Sequence, residues 1–246
     1  MNDRLNRIEL RDSLRDDLLT MIRARDAATP RHLQRELGPS EVGHPCMRKM
    51  AFGMLEVEEC NPQFDPLPSI IGTATHAWLD SAASHANMVL GRERWLTETR
   101  VQVTPGLAGS CDLYDTDTAT VIDWKVVGTP RLAKYRKDPG PAYRNQVFLY
   151  GKGFENAGYA VKRVAIAFVP RGATLHSFHL WRADYDPRVA DDCLKRREAV
   201  IALLSDLDVE NHPERHTWIP AEPYDCRFCE WHADRPTGPL QCSGNP

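Results

Sequence analysis

This sequence has no long hydrophobic run. Its longest strongly apolar stretch is the six residues Val164 to Val169, against roughly 20 needed to cross a membrane. The first residues, Met-Asn-Asp-Arg-Leu-Asn-Arg, lack the apolar core of an export signal. The expected location is therefore the cytoplasm, with no membrane partner. Basic charge is not in excess either: 31 Lys and Arg face 34 Asp and Glu, for a net charge of −3. That excludes a basic nucleic-acid coat, so a polyanion would have to be met by a local patch or through metal ions held by carboxylates. There is no internal repeat and no low-complexity segment. The seven cysteines are an odd number in a chain without an export signal. Disulfides are not expected there, and metal binding or catalysis is the better reading.

What is present is ordinary globular material. At 246 residues, 42% hydrophobic and 26% charged, the chain can bury one domain, with or without an appendage. Residues 3–25 carry a helical stripe of Leu5, Ile8, Leu14, Leu18 and Ile22, suited to packing on the domain or on a partner. A short helical piece is expected from Thr29-Pro30 to Gly38-Pro39, and another from Cys46 to about Leu55. A longer helix follows over 69–90. Strands are expected at 94–103, 107–114, 119–127, 161–169 and 174–182, with helices over 141–158 and 187–207. The last forty residues read as loop. This order predicts one α/β domain with a mixed sheet.

The segment from Gly109 to Lys125 is the most informative. It reads as two antiparallel strands joined by a polar turn at 115–118. If Asp115 and Thr118 flank the turn, Asp112 lies opposite Val121 and Asp123 is its diagonal neighbour, roughly 7–8 Å away at Cα. Two carboxylates at that spacing can share a divalent cation, and Lys125, two residues on, points to the same face. Asp-x-Lys by itself is equally compatible with a surface ion pair. Val121-Ile122 and Val126-Val127, however, mark a largely buried strand, where unpaired charges are costly. A hard cation such as Mg²⁺ prefers such oxygen ligands. It can polarise a phosphoryl oxygen and activate water, with Lys125 steadying the developing charge.

These residues resemble the PD-(D/E)XK nuclease superfamily, in particular its RecB-like exonuclease branch. The matching blocks are Gly109-Ser110-Cys111-Asp112 and Asp123-Trp124-Lys125, preceded by Gly72-Thr73-Ala74-Thr75-His76 and followed by Gln146-Val147-Phe148-Leu149-Tyr150. They occur in family order over about residues 40–160. The resemblance implies a restriction-endonuclease-like core, a mixed sheet flanked by helices. It implies a Mg²⁺- or Mn²⁺-dependent DNA exonuclease leaving 5′-phosphate products, acting in recombination, repair or end processing. In that reading His76, Asp112, Asp123 and the backbone carbonyl of Trp124 ligate the metal, and Lys125 positions the attacking water. Gln146 and Tyr150 complete the catalytic set. Glu98 assists the metal, with Glu93 competing for that place. Gly72 and His76 stand one helical turn apart, so a small residue clears space beside the imidazole.

Cys226-Arg227-Phe228-Cys229 is a C-x-x-C pair able to grip one metal centre, and Cys242 follows. Cys46 lies 180 positions before Cys226. Pro45 and Arg48 flank it as they flank the lone N-terminal cysteine of iron–sulfur RecB-like nucleases, among them CRISPR-adaptation and AddB-type nuclease domains. That likeness implies a [4Fe–4S] cluster held by Cys46, Cys226, Cys229 and Cys242, with a structural role. The longer last spacing keeps a structural Zn²⁺ site open, with His232 or His44 as substitutes for a thiolate. Cys60, Cys111 and Cys193 are left over.

Arg131, Lys134, Arg136 and Lys137, with Arg48 and Lys49, are the candidate contacts to a DNA backbone, although a solvated loop would carry the same charges. Residues 1–38 are expected to form an N-terminal helical segment and 39–246 the nuclease domain, with 210–246 its cysteine-bearing C-terminal segment joined to Cys46. The compact size, with no helicase motor, suits a phage or accessory nuclease, located in the host cytoplasm if phage-encoded. A homo-oligomer or a recombination partner protein would fit such a chain. The rival readings are a non-catalytic DNA-binding subunit that keeps the Cys₄ site and a sequence-specific endonuclease of the same superfamily.

Overall fold

The computed structural model describes residues 2–28, 37–61 and 65–244. Two compact units are present, one of residues 1–35 and 64–70, the other of 36–63 and 71–246. The smaller unit holds helix α1 (Asn2–Ala27). Its Leu14, Leu18, Met21 and Ile22 are exposed. The short helix expected from Thr29 falls outside the described residues. Gly38-Pro39, expected to end it, instead opens a helix: Gly38 is the N-cap of α2 (Pro39–Gly43) and its N–H donates to Glu41 Oε2 at 2.8 Å.

The larger unit is an α/β fold built on one mixed five-stranded sheet flanked by helices, as expected. In chain order it contains α3 (Met47–Met54), α4 (Leu67–Leu90, of which residues from 71 onward belong here), β1 (Trp95–Thr104), β2 (Leu107–Asp115) and β3 (Thr120–Gly128). There follow α5 (Thr129–Tyr135), α6 (Pro141–Asn156), β4 (Arg163–Arg171), β5 (His179–Asp184) and α7 (Pro187–Leu207). The strands are ordered β1-β2-β3-β4-β5. All neighbours are antiparallel except β3 and β4, whose parallel pairing needs the α5–α6 crossover. Two readings are corrected. The alternating stretch 174–182 is split, with a 3-10 turn over Leu175–Ser177 and strand only from His179. Of the basic residues after β3, compatible with a loop, Arg131 and Lys134 are on the short helix α5, started by Pro130 in its first turn, and Arg136 is its C-cap.

Two apolar clusters hold the unit together. One packs α6 on the sheet through Val121, Val147, Phe154, Ile166 and Phe168, all fully buried. The other gathers Val42, Met50, Leu149, Val200, Val209 and Ile219, tying α2, α3, α6 and α7 to the start of the C-terminal segment. Close backbone approach sets two glycines. A Cβ on Gly109 would stand 2.6 Å from the Pro39 ring and 3.2 Å from Tyr150, and one on Gly43 would stand 2.9 Å from the Gln146 backbone nitrogen. The glycine that opens the Gly109–Asp112 block thus lets α2 and α6 lie directly over β2.

Candidate metal centres

The β2–β3 hairpin forms, but in a different register from the expected one. Leu113 pairs with Ile122, Tyr114 with Val121 and Asp115 with Thr120. The turn runs from Thr116 to Ala119, with Ala119 in the left-handed region at φ 52°. It is braced by Arg94 on Asp115 (2.8 and 3.0 Å) and Arg92 on Asp117 (2.7 and 2.6 Å). Continuing this register by one residue puts Asp112 directly across from Asp123, not diagonal to it. The arginine clamps hold the turn in the register that formed.

The ladder between β2 and β3 stops at Leu113, whereas β3 stays paired with β4 along its whole length. The strands part at Asp112. The Trp124 N–H, which would otherwise be orphaned, donates to Asp112 Oδ2 at 2.6 Å. The other oxygen of Asp112 lies 3.3 Å from His76 Nδ1 on α4. On the far side of β2, Thr97 pairs with Leu113 and Thr99 with Cys111, so Glu98 stands across from Asp112. Glu98 has φ 44°, a left-handed backbone that is strained for a non-glycine residue. Three acids from three adjacent strands therefore occupy one row: Glu98, Asp112, Asp123. His76, Glu98 and Asp112 each offer a ligand atom, and these atoms lie within 4.8 Å of one another.

Electrostatics fit a site missing a positive charge. Asp123 is 2% exposed. Burial first, and the neighbouring Asp112 next, push its carboxyl up to about 6 against the pull of Lys125. Its Oδ2 makes no well-aligned hydrogen bond, although the Lys125 ammonium lies 2.7 Å away. The ion pair holds the charge while leaving the oxygen's directional valence unused. Burial and Asp112 likewise raise the Glu98 carboxyl. The hydrogen bond with Asp112 raises His76. Lys125 is also 5.0 Å from the Tyr143 ring centre, a cation–π contact that helps keep its stem in place.

Gln146 and Tyr150 are buried on α6. Burial, and then the charge of Asp123, push the Tyr150 phenol far above its usual range, so it is a neutral hydrogen-bonding group. Gly72 is not a clearance for the imidazole: a Cβ there would meet nothing within 4 Å. Cys111 is fully buried, its thiol pushed well up by that burial and kept protonated. Cys193 belongs to the second apolar cluster.

Cys46 and the three cysteines 180 residues and more after it line one small cavity. Cys46, Cys226, Cys229 and Cys242 share it with His44, Arg48 and Lys49. Cys46 is the N-cap of α3, and its sulfur accepts from the Lys49 N–H at 3.5 Å. The C-terminal segment is not held by cysteines alone. Ile219 is fully buried, His216 bridges Pro213 O and Gln241 O, and Trp231 Nε1 donates to Val57 O at 2.9 Å. Lys49 pairs with Glu230 at 2.6 Å, and Asn61 Nδ2 donates to Cys229 O at 2.8 Å. None of these anchors was visible as periodicity. Both ring nitrogens of His232 are engaged, with Cys242 O and Asp234. His44 is held neutral, lowered to about 4 by burial and by Lys49, with Nδ1 facing the Cys46 N–H at 3.2 Å.

The candidate DNA contacts divide. Arg48 directs its guanidinium inward, onto Thr217 O, Ile219 O and Cys242 Sγ. Arg131 stacks 4.7 Å over Phe228, Lys134 faces Asp225 at 4.0 Å, and Arg136 donates to Ser177 O at 3.1 Å. Lys137 lines an open depression with Lys134, Gly140 and Tyr224. Helix α5 therefore packs on the cysteine-bearing segment. Among the described residues, no helix is long and apolar enough to cross a membrane.

No family model matches the chain, and no curated protein matches it closely enough to count. Among solved structures, it is similar to an alkaline exonuclease from Laribacter hongkongensis (TM-score 0.49, 14% identity, covering 75% of this chain and 94% of that one). It is also similar to a phage-related exonuclease from Haemophilus somnus 129PT (TM-score 0.45, 16% identity, covering 67% and 81%). At these identities and scores, the residues of the site itself have to carry the chemistry.

Proposed function

We propose that this chain is a divalent-metal-dependent deoxyribonuclease, an exonuclease that hydrolyses phosphodiester bonds to 5′-phosphate products in DNA recombination, repair or end processing. The observation that carries the reading is the row Glu98–Asp112–Asp123, closed by His76 on one side and Lys125 on the other. Adjacent carboxylates in a row repel, and the buried Asp123 oxygen without an aligned donor is the kind of valence a cation satisfies. Oxygen-rich donors with one imidazole suit Mg²⁺ or Mn²⁺. When bound, such a cation supplies a Lewis acid and a more acidic water.

The chain's own residues do the rest. Asp112, Asp123, Glu98, His76 and the Trp124 carbonyl are the proposed ligands. The Trp124 peptide is oriented by its N–H bond to Asp112. Lys125 offers a proton donor and a positive charge to the attacking water or the phosphoryl oxygen. Gln146 and Tyr150, buried on α6 beside Asp123, complete the proposed catalytic set. Arg131, Lys134, Arg136 and Lys137 on and after α5 contribute the local basic surface that an overall acidic chain needs.

We also assign Cys46, Cys226, Cys229 and Cys242 to a structural metal centre, a [4Fe–4S] cluster ahead of a single zinc. Two of the sulfurs receive N–H groups, Cys46 from Lys49 and Cys242 from Arg48. That is the environment of metal-bound thiolates. The preference for a cluster rests on the likeness of the Pro45–Arg48 block to that of iron–sulfur nucleases.

The test is digestion of end-labelled single- and double-stranded DNA with Mg²⁺, with Mn²⁺ and with EDTA, alongside covalently closed circles. Cleavage of linear DNA that needs the metal and is lost in Asp123→Ala is expected. Cleavage of closed circles would identify an endonuclease. Near wild-type cleavage by Asp123→Ala would refute the site.

A further inference from the structure

Arg48 lies two residues after Cys46 and makes four contacts of distinct kind. Nε donates to Ile219 O at 3.1 Å, and Nη2 donates to Ile219 O at 2.9 Å and Thr217 O at 3.0 Å. Nη1 donates to Cys242 Sγ at 3.4 Å, across 194 positions of sequence. The Arg48 backbone N–H adds a bond to Pro220 O at 3.1 Å. A guanidinium cannot lose its proton in a protein, and a half-buried one needs polar partners. Its acceptors are carbonyls and one sulfur, with no carboxylate among them. Neighbouring Lys49, by contrast, has Glu230 at 2.6 Å. The acceptor of Arg48 that belongs to the cysteine cavity is the sulfur of Cys242.

We propose that Arg48 is a positioning residue of the cysteine centre, one that holds the Cys242 sulfur in place by a hydrogen bond and tunes the metal group bound there, and not a contact to DNA. The inference rests on the Cys₄ assignment made above. The carbonyls of Thr217 and Ile219 fix the planar fork, so Nη1 is aimed at the sulfur before any metal arrives. A charge-assisted donor on a ligand sulfur withdraws negative charge from the centre. It therefore favours the reduced, more negative state of an iron–sulfur cluster. Lysine can supply the charge but not the fork that spans two carbonyls and a sulfur.

The experiment uses the full chain, purified without air, as wild type, Arg48→Met and Arg48→Lys. The readouts are iron content, visible spectrum, midpoint potential by spectroelectrochemical titration, and the rate of iron release to a chelator in air. Wild type is expected to carry about four irons. Arg48→Met is expected to shift the midpoint negative and to release iron at least about tenfold faster, the lower end for loss of a hydrogen bond to a charged group. Arg48→Lys should fall between, and it serves as the informative variant if Arg48→Met fails to fold. DNA affinity measured against salt gives the second arm. Its logarithmic slope should match wild type, because no phosphate contact has been removed.

A fall of about one in that slope, with potential and iron release unchanged, would overturn the proposal in favour of a DNA contact. A four-iron Arg48→Met protein whose potential and release rate equal wild type would also overturn it. A colourless wild type with one bound zinc would instead refute the cluster assignment itself, an outcome distinguishable from both.

Discussion

Asp112 serves two purposes that two substitutions separate. Its Oδ2 is the acceptor for the Trp124 N–H at 2.6 Å, at the point where β2 and β3 part. Its Oδ1 lies 3.3 Å from His76. Asp112→Ala removes the acceptor and leaves a half-buried N–H without a partner. A hydrogen bond to a charged group contributes about 1.5–3 kcal/mol, and an orphaned buried donor costs about 1–3 kcal/mol. The Asp112 side chain is 13% exposed, so water recovers part of this, and a loss of about 2–3 kcal/mol is expected. In a domain of this size that is about 5–10 °C in Tm. Asp112→Asn keeps a carbonyl oxygen able to accept from Trp124 and should lose only about 1 kcal/mol. Both variants remove the carboxylate from the proposed cation site, and both should abolish metal-dependent DNA cleavage. Urea unfolding in EDTA at neutral pH reads the first difference as a change in midpoint at constant slope. Nuclease assays read the second effect. If Asp112→Ala unfolds within 0.5 kcal/mol of Asp112→Asn, a threshold of about the usual scatter for harmless substitutions, the Trp124 bond does not carry the hairpin's stability. The argument for how the strands part would then be wrong.

The His76 imidazole, raised by Asp112, makes metal-free stability depend on pH. Its contribution is fully present below its unfolded value near 6.5, and it is lost as pH rises through the raised folded value. Urea midpoints in EDTA from pH 6 to pH 9 should therefore fall in wild type and flatten in His76→Gln, and equal slopes would exclude the pairing. Lys125→Ala should abolish cleavage while leaving Mn²⁺ binding, followed by calorimetry, in place; retained cleavage would remove Lys125 from the mechanism. Glu98→Gln should weaken Mn²⁺ binding and relieve the charge repulsion across the row, so a variant that binds Mn²⁺ as tightly as wild type would drop Glu98 from the ligands. Gly109→Ala forces a methyl to 2.6 Å from Pro39 and should cost about 1–3 kcal/mol in the same urea assay. An unchanged midpoint would mean that α2 is free to shift.

Residue order by itself determined a great deal here. Val121-Ile122 and Val126-Val127 around Asp123 marked a buried strand carrying charge, and buried charge is rare enough to flag a site. The polar turn before it marked a hairpin. Proline near helix starts and apolar alternation placed α6, α7 and the first three strands to within a few residues. The i, i+4 spacing put Gln146 and Tyr150 on one helix face. These are local properties, dictated by backbone sterics and side-chain periodicity.

The rest depended on contacts between distant residues. The hairpin register is held by Arg92 and Arg94 closing on Asp117 and Asp115, and that register moved Asp123 from the diagonal of Asp112 to a place directly across from it. Glu98 was one of two competing acids until the β1–β2 ladder set it beside Asp112. Arg48 read as a phosphate contact because charge alone is legible in a sequence. The carbonyls of Thr217 and Ile219 and the sulfur of Cys242, all about 170–190 residues away, turned it inward. Cys46 was grouped with the C-terminal cysteines by a resemblance alone, and the packing of Phe52 on Trp231 and His216 is what brings them to one cavity. The reason is physical: periodicity reports which face of an element is buried, while the partner that buries it is chosen by the whole chain.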